Sequence, residues 1–318
     1  MSQSKPKVIK DFEKFDESMQ EQIKLSYPNG FVDHLIRFTN KDGKIVSALP
    51  FETDDKYYLI RMTATEAKDI QSFTLKNGMK ILVLEDASIP NANSYLFWKV
   101  GSRNEVPGIT GISHFFEHMM FQGSKNLGKM EFINLVQTNG GVLNGSTRFD
   151  YTNYFEIVPA HKVETMLWAE ADRMKGLAIT QENLTNQQGV VKNEVKVNVL
   201  NQPYGGFPWL DMPQYAFNNW YNAHNFYGDL ADLDAANLDD VKSFFDTYYS
   251  PNNAVLVVVG DVEVEPTLAM VKKYFSAIPS VALPAQPDLT ELRQEQEKRF
   301  NKFDKLAPKP ALAFAYKM

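Results

Sequence analysis

The sequence predicts an α+β fold, and three observations carry that reading. Strand-sized and helix-sized patterns mix without the regular strand–helix–strand alternation of a parallel sheet. Hydrophobic residues make up 44% and charged residues 23% of the 318 positions, the balance of a chain with a sizeable core. The most apolar run, Ala254 to Val259, is strand-sized and β-branched, so it reads as a buried strand. The length suggests about two domains.

Taken in order, residues 1–66 read as a small separate module of unassigned role. Apolar residues at Ile9, Phe12, Phe15, Met19 and Ile23 predict a helix over 9–24. Strand-like runs follow at 32–38, 44–49 and 56–62, with turn chemistry in Asn40–Gly43. A main domain spans 70–278. Asn77-Gly78 predicts a tight turn between strands at 73–75 and 79–84. A strand at 94–100 precedes a helix over 110–121, closed by Gly123, and another over 129–138. Strands at 142–149 and 152–158 lead to helices over 161–176 and 181–200. Residues 201–229 are aromatic-rich and irregular, and loop packing is preferred there over a chamber lining. A helix over 239–249, the strand 254–260 and a helix over 265–278 complete the domain. Residues 279–310, rich in Pro, Gln and charge, read as a linker, and 311–317 as a strand-like run, so 279–318 is expected to be a linker and the start of a missing second half.

Composition narrows the function. A net charge of −6 argues against nucleic-acid binding, which needs a basic face. No apolar run approaches the ~18–20 residues that span a bilayer. The N-terminus has charge but no apolar stretch behind it, so no secretory signal is read; the cytoplasm is the default location, and the periplasm applies if the N-terminus is altered. With no cysteine, thiolate nucleophiles and Cys-based metal sites are excluded, and any metal must be held by His and carboxylates.

Ser113 to Met120 reads SHFFEHMM and contains His114, Glu117 and His118. On a helix, positions i and i+4 share a face, so both imidazoles can reach one metal ion. Glu117 lies beside that face, placed to take a proton from a metal-activated water; this is the inverted zincin motif. The bland alternative is two histidines packed in a core helix. Two imidazoles leave a zinc ion short of one protein ligand, a carboxylate or His from another segment. Glu194 is the candidate, next to Val190, Val191 and Val195 as a buried surface, although a lone helical Glu is ordinarily solvated.

The segments GSRNEVPGITGISHFFEHMMFQGS (101–124), GGVLNGSTRFDYTNYFE (140–156), ADRM (171–174), NQQGVVKNE (186–194) and YYSPNNAVLVVVGDV (248–262) resemble the insulinase or pitrilysin family of zinc metallopeptidases, close to its bacterial processing-peptidase-like members. The resemblance implies a roll with helices on one face of a mostly antiparallel sheet. It implies Glu194, 76 positions beyond His118, as the third zinc ligand. It implies an extended peptide bound against the edge strand that holds Asn144, Gly145 and Ser146. Many members carry a glutamate at the position of Gln187, where it orients the zinc histidines; Gln can still hydrogen-bond there but brings no charge. Many also have Asn-Ala where this chain has Asn144-Gly145, a loosening of the edge.

The resulting expectation is a zinc endopeptidase in which His114, His118 and Glu194 hold Zn²⁺ and Glu117 is the general base. The alternative is a non-catalytic or half-enzyme subunit of a processing-peptidase-like complex, completed by a second homologous chain or a missing C-terminal half. His34, His161 and His224 read as structural or exposed, and Glu131, Glu156, Glu164 and Glu170 as surface charges.

Overall fold

The chain divides into two units, residues 1–69 and 70–318, in a computed structural model that describes residues 5–27, 36–39, 45–53, 55–61 and 70–317. The first unit opens with a strand where the apolar spacing predicted a helix. Strand β1 (Lys7–Asp11) is followed by one 3₁₀ turn and by α1 (Glu17–Ser26). β2 (Ile36–Thr39), β3 (Ile45–Glu52) and β4 (Tyr57–Arg61) complete a four-stranded sheet of order β1-β4-β3-β2. The correction has a physical cause: β1 pairs in parallel with β4, from Lys7↔Tyr57 to Asp11↔Arg61. A long-range ladder thus overrides a local period. The Asp16 carboxylate accepts from the Met19 amide at 2.8 Å, which caps α1 and starts it about two turns later than expected. Phe15, Ile23, Leu49, Phe51 and Ile60 form the core of this unit. The predicted turn at Asn40–Gly43 and the first residues of the run 32–38 lie outside the described residues.

The second unit contains β5 (Gln71–Thr74), β6 (Lys80–Glu85), β7 (Asn91–Trp98), α2 (Ile112–Met119), α3 (Glu131–Thr138), β8 (Val142–Thr147), β9 (Thr152–Pro159), α4 (Val163–Lys175) and α5 (Gln181–Val195). α5 continues directly into a π-helical turn, Lys196–Leu200. Two short helices, α6 (Asp211–Ala216) and α7 (Trp220–Ala223), interrupt the aromatic stretch, and a third, α8 (Leu230–Ala235), comes directly after it. α9 (Leu238–Tyr248), β10 (Ala254–Gly260) and α10 (Val264–Phe275) close the unit. The six strands run β5-β6-β10-β7-β9-β8. Every neighbouring pair is antiparallel except β10 with β6. This is the expected α+β arrangement.

Strand periodicity separates the two faces of the sheet. Ile81, Val83, Leu96, Trp98, Leu256 and Val258 are buried with residues of α2, α4, α5, α9 and α10 in one core. Tyr95, Phe97, Phe155, Val255 and Val257 face the other way and are half-buried. Residues 279–317 form no helix or strand, and the strand-like run 311–317 makes no ladder. The segment is held to residues 204–222 by side chains instead: Asp304 accepts from the Tyr204 amide at 2.7 Å, Glu291 from the Asn219 amide at 2.9 Å, and Phe300 stacks on Tyr215.

Glu156 and Glu170, expected on the surface, are buried. Both face the Arg173 guanidinium, Glu156 at 3.5 Å and Glu170 in closer contact, and all three side chains are within 1% of full burial. Arg173 also lies over the rings of Phe132 (3.8 Å), Tyr154 (4.9 Å) and Phe121 (5.5 Å). One cation among two buried carboxyls leaves an excess negative charge, which a proton removes. Burial, then the neighbouring Glu170, push Glu156 well above the usual carboxylate range, which favours its neutral form. Replacing Glu156 by Gln is therefore expected to change stability by no more than about 1 kcal/mol. Arg173→Met strands a buried carboxylate and should cost about 3–5 kcal/mol. Urea unfolding of the two variants measures the contrast.

Candidate metal centre and active site

The helix that carries the H-x-x-E-H motif is shorter than the predicted 110–121, and its N-terminal end is fixed by a buried carboxylate. Gly111 stands before it in left-handed backbone, φ +80°. Glu105, 2% exposed, accepts from the Gly111 amide at 3.0 Å and the Ser113 amide at 2.9 Å. Two free amides at a helix start thereby meet a negative charge, the arrangement that the helix dipole favours. Glu105 is in turn bound by His224 Nε2 at 3.2 Å, while His224 Nδ1 meets the Trp220 carbonyl at 3.0 Å. Both ring nitrogens thus face acceptors, which suits an imidazolium. Burial works against that charge, but the hydrogen bonds to Glu105 and the Trp220 carbonyl outweigh it, and the His224 pKa is raised. His161 is exposed, and His34 lies outside the described residues.

α2 brings His114 and His118 one turn apart, ring centroids 5.0 Å from each other and nearly perpendicular. Glu194, in the last turn of α5, reaches both: its carboxylate lies 3.6 Å from His114 Nε2 and 3.0 Å from His118 Nε2. The helices are held in place by Leu184, Val191 and Val195 of α5, which share a core with Ile112, Phe115, Phe116 and Met119 of α2. Val190, expected on that buried surface, is exposed; the stripe is Val191 and Val195, spaced i, i+4. The facing imidazoles, His114 first and then His118, draw the Glu194 pKa far below the usual carboxylate range.

One donor atom from each of these three residues lies within 4.8 Å of the others. Ligand atoms around a tetrahedral ion with bonds of ~2.1 Å stand about 3.4 Å apart, and the His–Glu separations, 3.6 Å to one carboxylate oxygen and 3.0 Å to the other, are of that order. Two imidazoles and a carboxylate also match the N/O donors that zinc takes at hydrolytic sites, with a fourth position left for water or substrate. The side chains therefore fit a zinc ion.

Glu117 is partly buried beside this group. Its Oε2 accepts from the Thr147 hydroxyl at 2.6 Å, and Thr147 is buried at the end of β8. Sequence reading did not single out Thr147. Its only signal is strand alternation, which sets it on the same face as Gly145. A Cβ on Gly145 would lie 3.1 Å from the Tyr154 ring and 3.3 Å from Glu117 Cγ, a tight fit. Asn144 is exposed, with its side-chain oxygen accepting from the Gly145 amide, and Ser146 donates to Asn153 on β9. β8 is the edge of the sheet, so its outer backbone groups are not used in the ladder. Gln187 is buried in α5, and its amide donates to Asn186 at 2.8 Å rather than to an imidazole. The aromatic stretch packs on itself and reaches the centre, with the Tyr227 ring 4.9 Å from that of His114.

Comparison with known proteins places the chain among zinc peptidases. The family model "Insulinase (Peptidase family M16)" matches residues 80–215, and "Peptidase M16 inactive domain" matches residues 235–318. The chain belongs to the M16 insulinase family. The zinc protease PqqE of Helicobacter pylori is 33% identical over 238 residues, which are 71% of this chain and 51% of that protein. The crystal structure of a protease from Helicobacter pylori superposes with a TM-score of 0.66 at 31% identity, over 72% of this chain and 55% of that one. The periplasmic protease PqqL from Escherichia coli shares the fold, with a TM-score of 0.66 at 20% identity, over 71% of this chain and 26% of that one. The chain spans about half the length of the first bacterial relatives it matches. Among the described residues, no helix is long and apolar enough to cross a membrane.

The His224–Glu105 pair carries a pH signature. The folded protein holds the His224 proton more tightly than the unfolded chain, where the pKa is about 6.5. The pair's contribution is therefore full below about pH 6.5 and is lost as pH rises through the raised folded value. Melting temperature followed from pH 5.5 to 8.5 should fall more steeply for wild type than for His224→Gln, and the two curves should converge at high pH.

Proposed function

We propose that this chain is a zinc-dependent endopeptidase that hydrolyses extended peptides. The observation that supports it most directly is the meeting of His114, His118 and Glu194 beside a Glu117 carboxylate fixed by Thr147 at the sheet edge. His114, His118 and Glu194 would hold the ion. When bound, zinc supplies a Lewis acid that lowers the pKa of water and polarises a carbonyl. Glu117 takes the proton of the attacking water and delivers it to the leaving amine nitrogen. Thr147 keeps one oxygen of that carboxylate occupied and so limits its rotation. The outer edge of β8, at Asn144, Gly145 and Ser146, receives the substrate backbone as an added strand. Gln187 is assigned a supporting role for the ligand set, through the buried surface of α5.

A second reading, that hydrolysis needs a further homologous half or partner chain, is favoured by the matched length, about half of each bacterial relative. Cleavage of a quenched peptide with and without such a chain separates the two.

Glu117→Gln should bind zinc within about threefold of wild type and lose about 10²–10⁴-fold in kcat/KM, the usual worth of a positioned general base. Thr147→Val should lower kcat about tenfold with KM nearly unchanged, as expected for loss of an interaction that matters only in the transition state. Zinc titration by chelator competition and steady-state cleavage measure both. Undiminished turnover by Glu117→Gln rules out its role as base, and wild-type protein that takes up no zinc rules out the metal site.

A further inference from the structure

Residues 224–228 meet the motif helix at three points that the proposed chemistry does not use. The first is backbone on backbone. Gly111 and Gly228 both adopt left-handed conformations, φ +80° and +73°. A Cβ on Gly111 would fall 2.4 Å from the Tyr227 carbonyl oxygen, and one on Gly228 would fall 2.2 Å from the Gly111 amide nitrogen. No side chain fits between them, so the 227–228 backbone lies directly on the start of α2. The second point is His224, which holds the Glu105 carboxylate that caps the same helix end.

The third point is the histidine itself. A metal-binding imidazole is usually oriented by a hydrogen bond at its other nitrogen. His114 Nδ1 is buried and has no such partner among the described residues. Aromatic edges and faces surround the ring instead: Tyr227 at 4.9 Å and 80°, and Phe226 at 6.4 Å and 87°. Perpendicular contacts of this kind have a preferred geometry and restrict rotation of the ring plane. Trp209, half-exposed, packs on both Phe226 (5.4 Å) and Tyr227 (5.9 Å) from outside. The Tyr227 ring stands against the imidazole, and its hydroxyl lies near enough to Glu194 and Glu117 that burial and then these two carboxylates raise its pKa.

We infer that Phe226-Tyr227-Gly228 is the element that orients His114, with Tyr227 as a positioning residue whose ring replaces the absent hydrogen bond at Nδ1. Packing sets the plane of the imidazole, and Glu194 selects Nε2 as the nitrogen that faces the site. This rests on the reading of His114 as a zinc ligand.

The test uses the full chain and the metal alone. Zinc affinity is measured by chelator competition, and the visible absorption of the Co²⁺-loaded protein reports ligand geometry. Tyr227→Phe should match wild type within about threefold and keep its cobalt spectrum. Tyr227→Ala should bind zinc about 10–100-fold more weakly, the usual cost of losing a group that orients a ligand, and show altered cobalt bands. Trp209→Ala, a change at a half-exposed site, should show a smaller loss in the same direction. A folded Tyr227→Ala with wild-type affinity and spectrum overturns the inference while leaving the zinc site intact, as does a Tyr227→Phe as weak as Tyr227→Ala. Should Tyr227→Ala fail to fold, unchanged affinity in Trp209→Ala overturns it. Wild-type protein that binds no zinc removes the proposed function and this inference together.

Discussion

Two imidazoles on one helix and a carboxylate on another come within reach of each other only because α2 and α5 share a core. His114 and His118 are fixed relative to one another by the helix repeat. Glu194 has no such covalent bond to them. Its place depends on Val191 and Val195 packing against the apolar side of the motif helix. The polar site is therefore a consequence of apolar packing between the same two helices. The π-helical turn that begins just after Glu194 fits this view, since such turns commonly mark functional positions where a helix has been adjusted to present a side chain. The strong lowering of the Glu194 pKa expresses the same geometry in electrostatic terms: two imidazoles converge on one carboxylate.

The start of α2 is constrained as strictly as its face. Glu105 binds the first amides, His224 binds Glu105, and Gly111 admits the backbone of residues 227–228. A helix of only eight residues has little stability of its own. Caps and tertiary contacts must supply what propensity does not. Those contacts come from a stretch that has few long elements but many aromatic rings, which bury large areas without needing regular structure.

The chemistry of the motif is readable because it repeats at the period of a helix and uses rare residue types. His114, Glu117 and His118 announce themselves in five consecutive residues. Glu194 alone is an ordinary helical glutamate, and the family pattern, not its local sequence, draws attention to it. Thr147, Glu105 and Tyr227 escape sequence reading as parts of the site, because each acts across a sequence separation that local patterns do not record and none is an unusual residue for its element. Glu156 and Glu170 pass for surface charges for a related reason. A lone glutamate carries no local mark of burial. The clues are indirect: Glu156 alternates with Tyr154 and Val158 on one strand face, and Arg173 stands three positions after Glu170 on α4. β1 reads as helix because its partner β4 lies far along the chain, and a parallel ladder leaves no trace in local periodicity.

Strand β8 joins the two halves of the proposed chemistry. Its side chains alternate, so Gly145 and Thr147 turn toward Glu117 while Asn144 is exposed. The inward face positions the base, by a hydroxyl at one residue and by the absence of a side chain at another. Among the described residues no strand pairs with the outer edge, which belongs to the same strand whose Thr147 holds the base. A peptide that added to this edge would be in register with the residues that orient Glu117, because both functions belong to one short piece of backbone. Rotation of the base relative to the bound chain would then require β8 itself to move, and β8 is tied to β9 along its whole length, from Val142↔Ile157 to Thr147↔Thr152. Position 145 is where this coupling comes close to its steric limit, since a methyl group there would press on both Tyr154 and the base.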